Sequence, residues 1–224
     1  MKKLKIFSSI KIQNNNTMKI YDISLEISED MGVWKNKDDK RPKIEVTSTI
    51  RTGNSNESRL QLDAHTGTHV DAPFHFLQNG KRIDKVPIEK FLGECVVIDL
   101  TNIKNHGIEK KDLIKSKIRK DDIVLLKTSN KYNKKFDFNF VYLAASGAKF
   151  LASKKIKGVG ISALGIERSQ PSYDTHKSLL GKGIMIFEGL ELSKIKEGRY
   201  FFIGLPLKVK DGDASPIRAV LVKK

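Results

Sequence analysis

Apolar residues in this chain occur in short runs of strand length, and this pattern limits the possible fold more than any other feature of the sequence. Several runs alternate apolar and polar residues, which is typical of strands with one buried face. None approaches the roughly 20 consecutive apolar residues that a membrane-spanning helix needs. We therefore expect neither a membrane protein nor a membrane partner. The predicted strands cover an alternating segment that follows Met18 and residues 43–50, 59–64, 94–100, 122–128, 158–162, 183–188, 199–205 and 217–222.

Helical periodicity is limited to the middle of the chain. Residues 108–117 and 141–153 carry apolar residues at helical spacing. Because strands outnumber helices and alternate with them only in the middle, the sequence predicts one mixed α/β (α+β) domain. We expect this domain to cover residues 18–224. Residues 1–17 are predicted to be an N-terminal extension, frayed or disordered, since they end in an asparagine run at 14–16.

The chain is strongly basic. Lysine and arginine number 42 against 26 acidic residues, which gives a net charge of +16 and raises the hypothesis of a nucleic-acid-binding module. However, 34 of these residues are lysines and 8 are arginines, and arginine is the residue that recognises phosphate and guanine through paired hydrogen bonds. The lysines are spread along the whole chain. We therefore expect a lysine-rich surface that helps to attract an anionic substrate, and no nucleic-acid partner.

Other motifs exclude several further classes of protein. The one cysteine, Cys95, lies in the apolar run ECVVIDL and is predicted to be buried and inert. A disulfide framework and a cysteine-based zinc finger are therefore excluded. No glycine-rich phosphate loop occurs, so a nucleotide cofactor is not suggested. The basic start of the chain carries no cleavage site of the secretory type, and we expect a cytoplasmic protein.

Three of the five histidines lie within eleven residues, in the segment HTGTHVDAPFHF. His65 and His69 are four residues apart, so a helical turn would place both imidazoles on one face. Asp71 follows two residues later, and Gly67 and Pro73 give the backbone the means to bend towards it. Two nitrogens and one carboxylate suit Zn²⁺, Mn²⁺ or Fe²⁺, while the absence of thiolates disfavours a structural zinc site. We predict a divalent-metal site at these three residues.

Three protein ligands leave a coordination position open for water, whose pKa a metal can lower to about 7. His75 follows Asp71 by four residues, and we predict that it acts beside this water as a general base and then protonates the leaving nitrogen. Spacing alone gives no role to His176 or Glu188. His106 lies beside a glycine among lysines and is predicted to be at the surface.

The same histidine segment matches the pattern H-x-G-T-H-x-D-x-P-x-H, and IYDISLEIS, GIERSQPSYDTHKSLL and LPLKVKDGDASPIRAVL match further motifs of one family. On these motifs the chain resembles the cyclase family of metal-dependent hydrolases, which includes the kynurenine formamidases (arylformamidases) and has isatin hydrolase as a relative. The resemblance covers nearly the whole chain from Met18. It implies a swivelling β/β/α fold and a homo-oligomer, either a dimer or a tetramer.

The resemblance also assigns residues that spacing leaves open. It implies one or two divalent ions per subunit, with Zn²⁺ ahead of Mn²⁺, and an Asp71 carboxylate that bridges two ions. His75 takes the acid–base role. The metal ligands that it implies are His65, His69, Asp71, His176 and Glu188.

Two features depart from the family pattern. Ser162 stands where members commonly carry an aspartate, and residues 31–39 lack the proline and glycine of the usual loop but keep an aromatic residue, Trp34. Both regions are expected to shape the substrate pocket. We predict that Trp34 stacks on a flat substrate.

These observations together predict a hydrolase that cleaves the C–N bond of a small aromatic or cyclic amide. The expected activity is arylformamidase-like, on a substrate of the N-formylkynurenine type, with metal-bound hydroxide as nucleophile. Two alternatives stay open, namely a hydrolase of isatin- or lactam-type cyclic amides and a metal-binding relative without catalysis.

Overall fold

A computed structural model describes residues 7–11 and 17–223 of the chain. Within this part, the α-helices are α1 (Lys110–Leu113), α2 (Ala145–Ser153) and α3 (Asp174–Leu180). The strands of the same part are β1 (Phe7–Lys11), β2 (Thr17–Asp22), β3 (Lys43–Ser48), β4 (Glu57–Gln61), β5 (His69–Asp71), β6 (Leu92–Asp99), β7 (Gly107–Ile108), β8 (Ile123–Lys127), β9 (Tyr142–Leu143), β10 (Gly158–Ile161), β11 (Met185–Glu188), β12 (Gly198–Ile203), β13 (Ala214–Pro216) and β14 (Val220–Lys223).

Ten of the described strands form one sheet in the order β1-β2-β14-β12-β6-β8-β10-β11-β5-β13. Strands β6, β8, β10 and β11 at its centre are parallel, and their neighbours on both sides are antiparallel. Helix α2 lies between β8 and β10 in the chain, and α3 between β10 and β11, so the helices form the crossovers that parallel strands require. Every residue of β10, and four of the five in β8, are buried, which is typical of strands covered on both faces.

Two antiparallel neighbours, β11 and β5, position most of the predicted functional residues. Their register pairs Glu188 with His69 and Ile186 with Asp71. On the other side of β5, strand β13 places Ala214 opposite Asp71. Paired residues share a face of the sheet, as do residues two apart in one strand, so His69, Asp71 and Glu188 lie on the same face.

The predicted mixed α/β fold is confirmed, with differences in local structure. The helix predicted over residues 108–117 is only the single turn α1, because the preceding residues form β7. The helix predicted over residues 141–153 begins only at Ala145, because Tyr142 and Leu143 form β9. The sequence patterns did not predict α3 or β13. None of the helices in the described part is long and apolar enough to cross a membrane.

The predicted extension at residues 1–17 is described only in part. Residues 7–11 form β1, which pairs antiparallel with β2, while residues 1–6 and 12–16 lie outside the described residues. The start of the domain near Met18 stays a prediction. Cys95 lies on β6 with a fully buried side chain, and burial raises the pKa of its thiol to about 12, which agrees with the inert role predicted for it.

Candidate active site

The histidine segment is built by a turn followed by a strand. Residues 65–68 form turns and bends, and His69 opens β5. The prediction that His65 and His69 share one face of a helical turn is therefore wrong. The extended backbone of β5 brings His69 and Asp71 to one face, and the turn returns His65 towards them.

Two glycines allow two backbone segments, one at Gly67 and one at Gly189, to cross in close contact. Gly67 has a φ of +61° and Gly189 a φ of +66°, which are values that favour glycine. A side chain on Gly189 would overlap the carbonyl oxygen of Gly67 and would lie 3.2 Å from the Cα atom of Thr68. Thr68 also donates its hydroxyl to the Gly189 carbonyl at 2.5 Å. The crossing therefore fixes β5 against the end of β11.

Replacing Gly189 with alanine is expected to lower the free energy of unfolding by about 2–4 kcal/mol, because it combines a left-handed backbone with a steric overlap. Gly183→Ala is the matched control. Gly183 also has a φ of +66°, but its nearest contact would be the Lys90 Nζ atom at 4.0 Å, so a loss of only about 1–2 kcal/mol is expected. Urea unfolding measures both, and equal losses would contradict the importance of the crossing.

One group of side chains meets between β5 and β11. The His69 Nε2 atom lies 3.3 Å from Glu188 Oε2 and 3.6 Å from Asp71 Oδ1. Potential ligand atoms of these three residues all lie within 4.8 Å of one another, and all three residues are buried. This spacing fits a set of side chains that can share one cation.

A second group lies beside the first and shares Asp71 with it. The His65 Nδ1 atom is 3.1 Å from Asp71 Oδ1, and ligand atoms of His65, Asp71 and His75 lie within 4.8 Å of one another. The imidazole rings of His65 and His75 have centroids 4.2 Å apart. Asp71 therefore occupies the centre of the site and faces both groups.

His176 approaches the same centre from helix α3. Its Nε2 atom lies 3.6 Å from Glu188 Oε1 and 3.8 Å from Asp71 Oδ2, while Phe76 stacks on its ring with centroids 4.2 Å apart. The structure thus brings together all six residues predicted to be catalytic or metal-binding. Its groups join His69 with Glu188 and His65 with His75, whereas the sequence hypothesis paired His65 with His69.

In each of His65, His69 and His75, one ring nitrogen is hydrogen bonded to an acceptor that belongs to neither group. The His69 Nδ1 atom donates to the Gly67 carbonyl at 3.0 Å. The carboxylate of Asp213 lies 2.9 Å from His65 Nε2 and 3.2 Å from His75 Nδ1. The other nitrogen of His65 and of His69 is thereby directed towards Asp71, which is the usual arrangement around metal-binding histidines.

His176 lies beside the carboxylate of Glu167. One carboxylate oxygen of Glu167 accepts a hydrogen bond from the His176 backbone N–H at 3.1 Å and lies 3.4 Å from His176 Nδ1. Burial disfavours the charged imidazole, but Glu167 and Glu188 outweigh this effect and raise the pKa of His176 to about 9.

The carboxylates of the site also raise the pKa of a second histidine, His65. Burial lowers the pKa of His65, but the neighbouring carboxylates of Asp213 and Asp71 outweigh this effect and raise it to about 10. Burial alone would raise the pKa of Glu188, yet His176 and His69 hold it far below its usual value. The buried carboxylates are thus strongly stabilised as anions, and the site attracts positive charge.

Several buried polar atoms of the site lack a hydrogen-bond partner among the described residues. They include His69 Nε2, both carboxylate oxygens of Asp71, His176 Nδ1 and Glu167 Oε1. Such atoms are costly unless something satisfies them. Imidazole nitrogen and carboxylate oxygen around a shared centre match the donor preferences of Zn²⁺ and Mn²⁺, so these residues fit a divalent cation.

The histidines and Glu188 of the two groups line a cavity of about 490 Å³, which is ample for a small aromatic molecule, whereas Asp71 is buried and does not line it. Trp34, predicted to stack on substrate, lines this cavity together with Phe76 and Tyr173. Trp34 is packed edge-to-face against Phe136 with centroids 4.8 Å apart. Ser162 does not line this cavity. It hydrogen bonds to Thr128 beside a separate, smaller cavity, so its expected role in the pocket is not supported.

Sequence reasoning missed three residues of the site, namely Asp213, Glu167 and Phe76. Asp213 and Glu167 occur in segments whose resemblance to a family was noted, but nothing in their spacing points to the histidines. Phe76 directly follows His75, and only the fold shows that it stacks on His176. His106 is exposed, as predicted.

Comparisons with known proteins agree with this arrangement. The family model described as "Putative cyclase" matches residues 21–168. The kynurenine formamidase of Bacillus thuringiensis subsp. konkukian (strain 97-27) is 34% identical over 204 residues, which cover 89% of this chain and 95% of the relative. A solved structure of a "predicted metal-dependent hydrolase from Bacillus stearothermophilus" is 42% identical, covers 92% of this chain and 99% of its own, and superposes with a TM-score of 0.83.

A more distant structure agrees with the fold. Isatin hydrolase A from Labrenzia aggregata, bound to benzyl benzoate, has a TM-score of 0.81 at 24% identity and covers 92% of this chain and 93% of its own. The family model spans more than half of the chain, and the formamidase relative matches nearly all of it. The chain therefore belongs to the cyclase family of metal-dependent hydrolases.

Proposed function

We propose that this chain is a divalent-metal-dependent hydrolase that cleaves the C–N bond of a small aromatic amide, with arylformamidase-like activity. One observation carries the proposal: two groups of candidate ligands share the buried Asp71, and their histidines and Glu188 line a cavity that aromatic residues also line. The relatives at 34% identity that are named kynurenine formamidase support the substrate class, an N-formyl group on an aromatic amine of the N-formylkynurenine type.

The proposed metal ligands are His65, His69, Asp71, His176 and Glu188. Their donor set favours Zn²⁺ first and Mn²⁺ second. Two ions per subunit are supported by Asp71, which belongs to both groups. A cation held here supplies Lewis-acid polarisation of the amide carbonyl and acidifies water.

His75 is the proposed general acid–base. Its Nδ1 atom is held by Asp213, so Nε2 is the atom left to take a proton from the attacking water and to return it to the leaving nitrogen. Half-buried in the cavity wall, it stays within reach of a bound substrate. Trp34, Phe76 and Tyr173 are proposed to hold the aromatic ring of the substrate and to exclude water.

The test is hydrolysis by the purified protein reconstituted with Zn²⁺ or Mn²⁺. We expect turnover of N-formylated anilines, which release formate and a free aromatic amine that absorbs in the ultraviolet. Chelation should abolish the activity, and added metal should restore it. Turnover of isatin or lactams without hydrolysis of formanilides would show that the substrates are cyclic amides and not N-formylated anilines. No turnover of any amide with stoichiometric metal bound would leave a metal-binding relative without catalysis.

The protein is also proposed to be a homo-oligomer, a dimer or tetramer. The hairpin of β3 and β4 supports this proposal because one of its faces carries Ile44, Val46 and Leu60, which are 37%, 65% and 60% exposed. The opposite face carries the ion pair between Glu45 and Arg59. An exposed apolar face of this kind is typical of a surface that another chain covers. Light scattering measures the subunit number. The cytoplasmic location stays a prediction from sequence.

A further inference from the structure

One carboxylate outside the proposed ligand set contacts two histidines of the site. Asp213 Oδ2 lies 2.9 Å from His65 Nε2 and 3.2 Å from His75 Nδ1. Asp213 does not belong to either group of ligating side chains, and it does not line the cavity. A carboxylate oxygen placed between two imidazole nitrogens in this way accepts a hydrogen bond from each of them.

The backbone fixes the position of Asp213. Its carbonyl accepts a hydrogen bond from the Ala72 N–H at 2.9 Å, and the next residue, Ala214, pairs with Asp71 in the sheet. On its other side, the Gly212 carbonyl accepts the Ile83 N–H at 2.8 Å. Asp213 is therefore anchored to the strand that carries the central carboxylate, and its side chain has a defined place behind the two imidazoles.

The consequence for His75 concerns which ring nitrogen carries the proton. Because Asp213 only accepts, His75 must place its N–H at Nδ1, which leaves the lone pair at Nε2. This is the tautomer that a general base needs when Nε2 faces the reaction. A carboxylate in this position also stabilises the imidazolium that forms when the base takes a proton.

The consequence for His65 concerns ring orientation. With Nε2 donating to Asp213, the Nδ1 atom is the one left 3.1 Å from Asp71. An outer carboxylate that fixes a metal-binding histidine in this way typically contributes 10- to 100-fold to metal affinity.

We propose that Asp213 is a positioning residue that sets the tautomer of His75 and the orientation of His65 through one shared carboxylate oxygen. The role in catalysis rests on the proposed function, whereas the tautomer and the metal affinity do not depend on the substrate. A carboxylate that served only to anchor the loop before β13 would influence stability but neither of these properties.

The variant that isolates the proposed role is Asp213→Asn, which keeps the size and the backbone contacts of the residue. Its amide can turn an N–H towards an imidazole nitrogen and so favour the opposite tautomer. Asp211→Asn is the matched control, because Asp211 lies two residues earlier on the same loop and is ion-paired with Arg82 at 3.3 Å, away from the histidines.

Three measurements on the zinc-loaded protein test the proposal. Long-range ¹H–¹⁵N NMR of the histidine rings reports the tautomer, and we expect His75 to carry its proton at Nδ1 in the parent protein and to lose this preference in Asp213→Asn. Chelator competition should show about 10-fold weaker zinc binding. At saturating zinc, kcat on a formanilide should fall about 10²-fold, with KM within about threefold of the parent value.

The outcomes separate this inference from the proposed function. Asp211→Asn should match the parent protein in all three measurements. An unchanged His75 tautomer together with unchanged zinc affinity in Asp213→Asn would overturn the inference. A parent protein that hydrolyses no amide would overturn the proposed function, while the tautomer and the zinc affinity would still decide the role of Asp213.

Discussion

Replacing Asp71 with asparagine is expected to lower kcat/KM for a formanilide by about 10³-fold, equivalent to about 4 kcal/mol of transition-state stabilisation, and to lower the metal content at the same time. Asp71 is 1% exposed, and it is the one residue that belongs to both groups of ligating side chains found among the described residues. The amide keeps the shape of the side chain but lacks the negative charge that a shared cation requires.

Metal analysis and steady-state kinetics measure the two losses together. If two ions bind each subunit, the loss of the shared carboxylate should weaken both sites, so the metal content should fall to below one ion per subunit. Asp99→Asn is a control, since Asp99 ends β6 and pairs with Lys127 at 3.0 Å without lining the cavity. Full metal content with parental activity in Asp71→Asn would remove Asp71 from the centre of the site.

The convergence of His65, His69 and Asp71 was predicted from their spacing, although for a different local reason. The hypothesis required a helical turn, whereas the structure uses a turn followed by strand β5. Both solutions bring side chains that are close in sequence to one face. Proximity in sequence was therefore enough to predict the cluster and insufficient to predict its backbone.

His176 and Glu188 could be assigned only through the family resemblance, because their approach to Asp71 depends on strand order. Glu188 faces His69 since β11 pairs with β5, and these strands are more than 100 residues apart in the chain. Asp213 reaches His65 across 148 residues for the same reason, through β13. Periodicity carries no information about which distant strands become neighbours.

Helix α3 was not predicted because its start lacks the usual N-cap residue. Its N-cap residue, Tyr173, has a φ of +51°, and its side chain does not cap the helix. Residues of this kind rarely begin a helix. The acceptor for the His176 N–H is instead Glu167, nine residues earlier, so the helix depends on a tertiary contact that no local pattern contains.

His75→Ala is expected to lower kcat by about 10²- to 10⁴-fold while the metal content stays at the parental level, because loss of a general acid–base has this scale and does not remove a required ligand. The result decides between two roles for His75, because its ligand atom lies within 4.8 Å of those of His65 and Asp71, while its Nδ1 atom is hydrogen bonded to Asp213. His106→Ala is the matched control, because His106 is exposed and, among the described residues, its ring hydrogen bonds to the carbonyl of the next residue alone.

Metal content decides between the two roles that this geometry allows for His75. If His75 is a metal ligand, His75→Ala should bind less metal, and the loss of kcat in this variant should shrink as the metal concentration is raised. If His75 is an acid–base group, His75→Ala should bind metal as the parent protein does, and its loss of kcat should persist at saturating metal. The bond from Nδ1 to Asp213 favours the second result, since it leaves Nε2 free for the proton. Activity close to the parental value in His75→Ala would assign the proton transfer to another group.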